Sequence, residues 1–204
     1  MTAIGRNAFN SCYNVTKAAL PDSVTVISDG AFKDCSRLEA VKMPGVTAIG
    51  NAAFKNCHTL ADLVLPETVT AIGDYAFEAC THLTGVSLPD SVSALGKGAF
   101  YRCSGLKEAH LSAALTEISD YAFFSCGHLT RLTLPGGVTA VGRRAFAYCA
   151  NLSRIAIPSG VQAIGDEAFK GCQHLTVYGL ENSFAQTFAQ ENGLPFEKIT
   201  KNGK

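Results

Sequence analysis

Apolar and polar positions along this chain fall into one pattern that is written eight times, most legibly from Leu83 to Cys103. The copy opens on Leu83-x-x-Val86-x-Leu88, where Val86 and Leu88 face inward and Gly85 and Ser87 outward, as in a half-buried strand. Pro89 ends the pairing because it has no N–H to give a ladder. Asp90-Ser91 turn the chain, Val92-x-x-Leu95 supplies a second extended arc, and Gly96 closes it; Gly or Ser stands there in every copy. A short segment ending Ala-Phe-x-x-Cys follows. Ala76, Phe77 and Cys80 are three and four residues apart, so the spacing predicts one or two helical turns, α or 3₁₀, with one face inward. Asp29, Asn51, Asp74, Asp120 and Asp166 stand at its start, where a side-chain oxygen can cap free N–H groups.

The signature fixes two rows. One is Phe9, Phe32, Phe54, Phe77, Phe100, Phe123, Phe146 and Phe169; the other is Cys12, Cys35, Cys57, Cys80, Cys103, Cys126, Cys149 and Cys172. Each step is 23 residues except one of 22, between Phe32 and Phe54, where Pro44-Gly45-Val46 is one residue short. A unit this size cannot bury its apolar face alone, so the period predicts a solenoid in which each coil packs on its neighbours. The repeat occupies about 1–180. Met1-Thr2-Ala3-Ile4-Gly5 aligns with Val69-Thr70-Ala71-Ile72-Gly73, so the first unit is incomplete and the chain is expected to be a fragment. Its open first coil, with Ile4, Phe9 and Val15 at an unpaired sheet edge, invites end-to-end self-association.

The pattern Leu-x-x-Val-x-Leu-Pro, then Val-x-x-Ile-Gly-x-x-Ala-Phe-x-x-Cys, resembles the BspA-type leucine-rich repeat family. That resemblance implies an α/β solenoid: a curved right-handed superhelix with a parallel sheet on its concave face and short helical segments on its convex side. It also implies bacterial surface or secreted proteins acting in adhesion, hence an extracellular or cell-surface location. Ser112 in place of Pro, and Ala18 and Ala109 at the strand centre, are modest departures. After Cys172 the pattern changes. Thr176-Val177-Tyr178-Gly179-Leu180 starts a last strand, and 183–192 reads as an amphipathic helix capped by Ser183 or Asn182 and ended by Gly193. With a final extended segment it forms a C-terminal cap over 181–199, leaving 200–204 as a frayed tail.

Composition removes several classes of function. Lys plus Arg and Asp plus Glu number 17 each, so no global field gathers nucleic acid or anionic membrane. No apolar run approaches the ~20 residues of a membrane span, and no secretory leader opens the chain. Eight cysteines at one repeat position are stacked about 4.8 Å apart with parallel Cβ vectors, unsuited to disulfides, so a ladder of buried free thiols is expected. The pairs Cys80/His82, Cys126/His128 and Cys172/His174 put sulfur inward and imidazole at a turn edge, which does not converge four metal ligands. No nucleophile, base and orienter are spaced for catalysis and no Gly-rich phosphate loop is present, so neither enzyme activity nor a cofactor is expected.

The outward rows of the concave sheet carry the remaining information. One reads Lys17, Ala40, Asp62, Gly85, Glu108, Arg131, Arg154, with Val177 next; the other reads Ala19, Lys42, Val64, Ser87, His110, Thr133, Ala156. Glu108, His110, Arg131 and Arg154 are the candidate binding residues, with Glu108 placed to neutralise Arg131. Tyr75, Tyr101, Tyr121 and Tyr148 form a convex row that is either a second contact surface or a covering. The expected role is a scaffold binding an unidentified protein or glycan; a spacer or stalk segment without its own ligand is the alternative.

Overall fold

The computed structural model describes residues 2–199. β1 (Ala3–Ile4) opens the chain, followed by β2 (Lys17–Ala19), β3 (Val26–Ile27), β4 (Ala40–Lys42), β5 (Ala48–Ile49), β6 (Asp62–Leu63) and β7 (Ala71–Ile72). Then come β8 (Gly85–Ser87), β9 (Ala94–Leu95), β10 (Glu108–His110), β11 (Glu117–Ile118), β12 (Arg131–Thr133) and β13 (Ala140–Val141). β14 (Arg154–Ala156), β15 (Ala163–Ile164), β16 (Thr176–Gly179), α1 (Phe184–Glu191) and β17 (Phe196–Lys198) complete it. Every strand pairing is parallel. Even-numbered strands line the concave face and odd-numbered ones, up to β15, the second side of each coil. The short step is visible in the register: Lys17 pairs Ala40, 23 residues on, but Val26 pairs Ala48, 22 on. The deletion therefore lies in the turn at Gly45, where a Cβ would sit 1.9 Å from the Asp22 carbonyl oxygen.

Inside the coils the predicted rows stack without interruption. Phe32, Phe54, Phe77, Phe100, Phe123 and Phe146 are fully buried, with neighbouring ring centroids 5.3–5.5 Å apart and planes within 12°. Offset stacking of this kind adds about 0.5–1.5 kcal/mol per pair beyond area burial. All eight cysteines are free, and all but Cys12 are buried. Each thiol has a definite partner: Cys57 Sγ donates to Phe32 O (3.1 Å) and Cys103 Sγ to Phe77 O (3.0 Å), one coil back. The same Phe32 carbonyl also takes the Cys35 N–H, so sulfur supplies its second donor. Of the residues expected at the open end, Ile4 is buried, Val15 half-buried and Phe9 39% exposed.

The third side corrects the expectation of short helices. Ala52, Phe54 and Asn56 N–H groups donate to Asp74 O, Ala76 O and Glu78 O in the next coil (2.7–2.8 Å), while Ala53, Lys55 and Cys57 bond back three residues within their own. A helix sends every N–H along its own chain; here alternate donors must reach a neighbour one sheet spacing away. The backbone meets both demands by visiting the left-handed region twice per coil, at Ala52 and Asn56, Tyr75 and Ala79, or Tyr121 and Ser125. Non-glycine residues there cost about 1–2 kcal/mol each, offset by hydrogen bonds on both sides.

The expected capping oxygens also act between coils. Asp29 Oδ1 accepts Asn51 N–H (2.8 Å), Asn51 Oδ1 accepts Asp74 N–H (2.7 Å) and Asp74 Oδ1 accepts Lys97 N–H (2.8 Å). The series stops at Lys97, which has no acceptor, and resumes where Asp120 Oδ1 takes Arg143 N–H (2.7 Å). Asp166 accepts no such bond.

At the C-terminal end α1 lays Phe188 edge-on against Phe169 (5.8 Å) and buries Ala185 and Ala189. Gly179 lets the helix in, since a Cβ there would stand 2.8 Å from Ala185 Cβ. Ser183 occupies the N-cap position without a side-chain bond; instead Gln186 Oε1 accepts Asn182 N–H (2.7 Å). Gly193, at φ +64°, ends the helix, with Leu194 N–H on Ala189 O and Gly193 N–H on Gln190 O. The expected tail at 200–204 lies outside the described residues.

Candidate binding face

Glu108 and His110 on β10, Arg131 on β12 and Arg154 on β14 are exposed on the concave face. All four line one open groove of about 590 Å³, with Asp90, Thr133, Ala109, Ala156 and Pro135. The groove has a cause in the backbone. β8 pairs β10 and β12 pairs β14, but β10 and β12 are not joined by a ladder. Thr130 N–H to Lys107 O is stretched to 3.5 Å, against 2.9 Å for Lys107 N–H to Thr84 O one coil earlier. Two sequence departures fall here. Ser112 stands where Pro ends the other strands, is fully buried, and accepts Ala114 N–H (3.1 Å); Ala113 N–H is taken by Asp90 Oδ1 (3.0 Å).

Arg131 and Arg154 are directly paired across β12 and β14. The expected neutralisation of Arg131 by Glu108 does not occur: no ion pair joins them, and Glu108 leans the other way, over Gly85. Its Oε1 lies 3.4 Å from where a Gly85 Cβ would stand, so the bare backbone makes room for it. The expectation for Val177 is also corrected. One residue fewer follows Leu175 than follows Leu152, so Arg154 pairs Thr176, Ile155 pairs Val177 and Ala156 pairs Tyr178. Val177 is buried, and Tyr178 joins the outward face with its ring 3.9 Å from the Arg154 guanidinium carbon. Sequence spacing missed this aromatic because it assumed an unbroken 23-residue step.

Elsewhere among the described residues, several coil-surface charges are matched: Arg6 with Asp29, Lys55 with Glu78, and Glu167 with both Arg144 and Lys170. Those two cations hold the Glu167 carboxyl below its usual range, Lys170 contributing most. The convex tyrosines form a contiguous aromatic strip. Tyr101 stacks on Phe124 (4.7 Å), Tyr75 meets Tyr101 (6.0 Å), and Phe124 meets Tyr148 (5.3 Å). The rings therefore spend much of their surface on one another. His82 and His128 each place Nδ1–H on a backbone carbonyl of the preceding coil, His58 O (2.7 Å) and Ser104 O (2.6 Å), which ties imidazole to the turn edge. Among the described residues no cluster of three potential metal ligands occurs, and no helix is long and apolar enough to cross a membrane.

Residues 2–126 and 47–176 match the BspA type leucine rich repeat region, in six copies. A leucine-rich repeat protein from Bacteroides ovatus superposes with a TM-score of 0.81 at 26% identity, over 97% of this chain and 55% of that one. The chain thus spans about half the length of that protein. The T. pallidum leucine rich repeat protein gives 0.68 at 26% identity, over 97% and 79%. A leucine rich cell surface protein from Faecalibacterium prausnitzii gives 0.62 at 27% identity, over 93% and 72%. No curated protein matches the chain.

Proposed function

Because the chain belongs to the BspA-type leucine-rich repeat family, we propose that it is a non-enzymatic scaffold, part of a bacterial surface or secreted adhesin-like protein, that binds a protein or glycan through its concave groove. The observation that carries this reading is the groove itself. It is an interruption in an otherwise regular ladder, about 590 Å³ in volume and within the range of small-ligand sites, and it gathers Glu108, His110, Arg131 and Arg154. The surface location rests on the family and on a structural neighbour described as a cell surface protein. No chemical step is assigned to the hydroxyls and carboxylates of the coils, since those with assigned bonds serve turns and inter-coil bonds.

The test compares two variants on immobilised extracellular-matrix proteins and a glycan panel. Thr133→Trp fills the groove from an exposed position without entering the core; Tyr148→Ser alters the convex strip. Binding lost with the first and kept with the second supports the proposal. The reverse moves the contact to the convex side. A chain that binds nothing on either panel is a spacer.

A further inference from the structure

We propose that the groove takes a single carboxylate-bearing sugar, its acid group held between Arg131 and Arg154 and its hydroxyls facing Glu108, Asp90 and Thr133. This rests on the groove being the contact face and adds the chemistry of what enters it.

Three observations converge. First, two guanidinium groups stand on directly paired positions of adjacent strands, about 4.8 Å apart at the backbone, with no carboxylate in ion-pair contact with either. Like charges opposite one another in a sheet lower stability, and an incoming carboxylate relieves that repulsion on binding. Arg154 is already held by the Tyr178 ring, so less side-chain freedom is lost when a ligand docks. Guanidinium also matches a carboxylate through paired N–H donors, which a lysine pair would not.

Second, the groove is polarised. Arg131 and Arg154 occupy one end; Glu108, turned over Gly85, and Asp90 occupy the other. A run of acidic groups would be repelled at that second end, which disfavours polyanions, nucleic acid and strongly acidic peptides. One acid group followed by neutral hydroxyl donors fits both ends, because carboxylates accept hydroxyl hydrogens and Thr133 can donate or accept between them.

Third, the lining lacks what a protein partner uses as anchors. Binding hot spots favour Trp, Tyr and Arg packed in desolvated pockets. Here the apolar lining is Ala109, Ala113, Ala156, Leu111, Leu132 and Pro135, small or largely sunk in the coil, and the one aromatic nearby, Tyr178, is engaged by Arg154.

The experiment is titration calorimetry of the whole chain with four probes: a sialic-acid-terminated trisaccharide, a glucuronic-acid-terminated trisaccharide, lactose, and a Glu-Asp hexapeptide. The proposal expects one or both sugar acids to bind and lactose to bind at least about tenfold more weakly, the loss of a charge-assisted contact. The two acid arms tell which sugar acid supplies the carboxylate. Arg131→Ser with Arg154→Ser should weaken that binding at least about tenfold and flatten its salt dependence; Arg143→Ser, exposed on the turn side, should leave it unchanged. Equal binding of lactose, or sugar-acid binding indifferent to the double variant, overturns the proposal. Hexapeptide binding that depends on both arginines, without sugar binding, overturns the ligand class while sustaining the groove. Absence of all four, together with matrix or glycan binding that ignores Thr133→Trp, overturns the groove reading as well.

Discussion

Lys97→Asn should stabilise the solenoid, because it closes a gap in a ladder the chain builds elsewhere. Asp29, Asn51 and Asp74 each offer Oδ1 to the equivalent N–H one coil on, at 2.7–2.8 Å. Lys97 continues the position but offers no oxygen to Asp120 N–H. The seam is open on that side in other ways too. β9 and β11 are not joined, and Ser119 Oγ, rather than a backbone N–H, reaches Leu95 O (2.5 Å). Asn51 shows that a neutral amide fits between two aspartates, so asparagine avoids three stacked carboxylates. One intramolecular hydrogen bond adds about 0.5–1.5 kcal/mol net. Against it stands the Lys97 ammonium 5.5 Å from the Tyr121 centroid, about 0.5 kcal/mol at an exposed site. The expected gain is roughly 0.5–1 kcal/mol, or about 1–4 °C in Tm for a domain of this size. Thermal unfolding reads the sum and amide hydrogen exchange at Asp120 reads the bond. Lys97→Ala, which loses the lysine without adding an acceptor, should gain nothing. If Asp120 exchanges as fast in Lys97→Asn as in the parent and Tm does not rise, the ladder is not the stabilising element argued here.

Phe100→Ala empties a fully buried site in the ring stack and should cost about 3–5 kcal/mol; exchange should accelerate first in the two adjoining coils, and uniform opening would contradict nearest-neighbour stability. A bulky thiol reagent should label native protein slowly and release all eight thiols only on denaturation; rapid native labelling of several would refute the buried ladder. Burial pushes the Cys103 thiol up to about 12 and also raises Cys57, Cys80 and Cys126, from an ordinary 9.0. Unfolded thiols ionise first, so this contribution is complete below pH 9 and lost as pH climbs toward 12, by about 1.4 kcal/mol per unit for each thiol. A Tm that stays flat between pH 8.5 and 10.5 would contradict it.

Much of the fold is legible because each repeat position has one environment. A residue type that recurs every 23 positions, such as Phe100 or Cys103, can only be stacked, and Arg131 and Arg154 follow as neighbours from the same arithmetic. What the period does not carry is direction. Ala76, Phe77 and Cys80 have helical spacing whether the chain forms a helix or alternates handedness to reach the next coil, since both point the same side chains inward. Asp74 likewise has an oxygen suited to a cap, and nothing in its own repeat says that the recipient is Lys97 N–H, 23 residues on. Nor does the pattern show a splay between two strands, which depends on how Ser112 and Ala113 settle against Asp90. Glu108 turning toward Gly85 and Tyr178 entering the outward face both come from such local accommodations.

The contact face is tested most directly by amide hydrogen exchange with and without a saturating sugar-acid oligosaccharide. The account predicts slowed exchange concentrated in residues 108–111, 131–135 and 154–156, with the turns carrying Tyr75, Tyr101, Tyr121 and Tyr148 unchanged. Protection of those turns, or no protection along β10, β12 and β14, would contradict it.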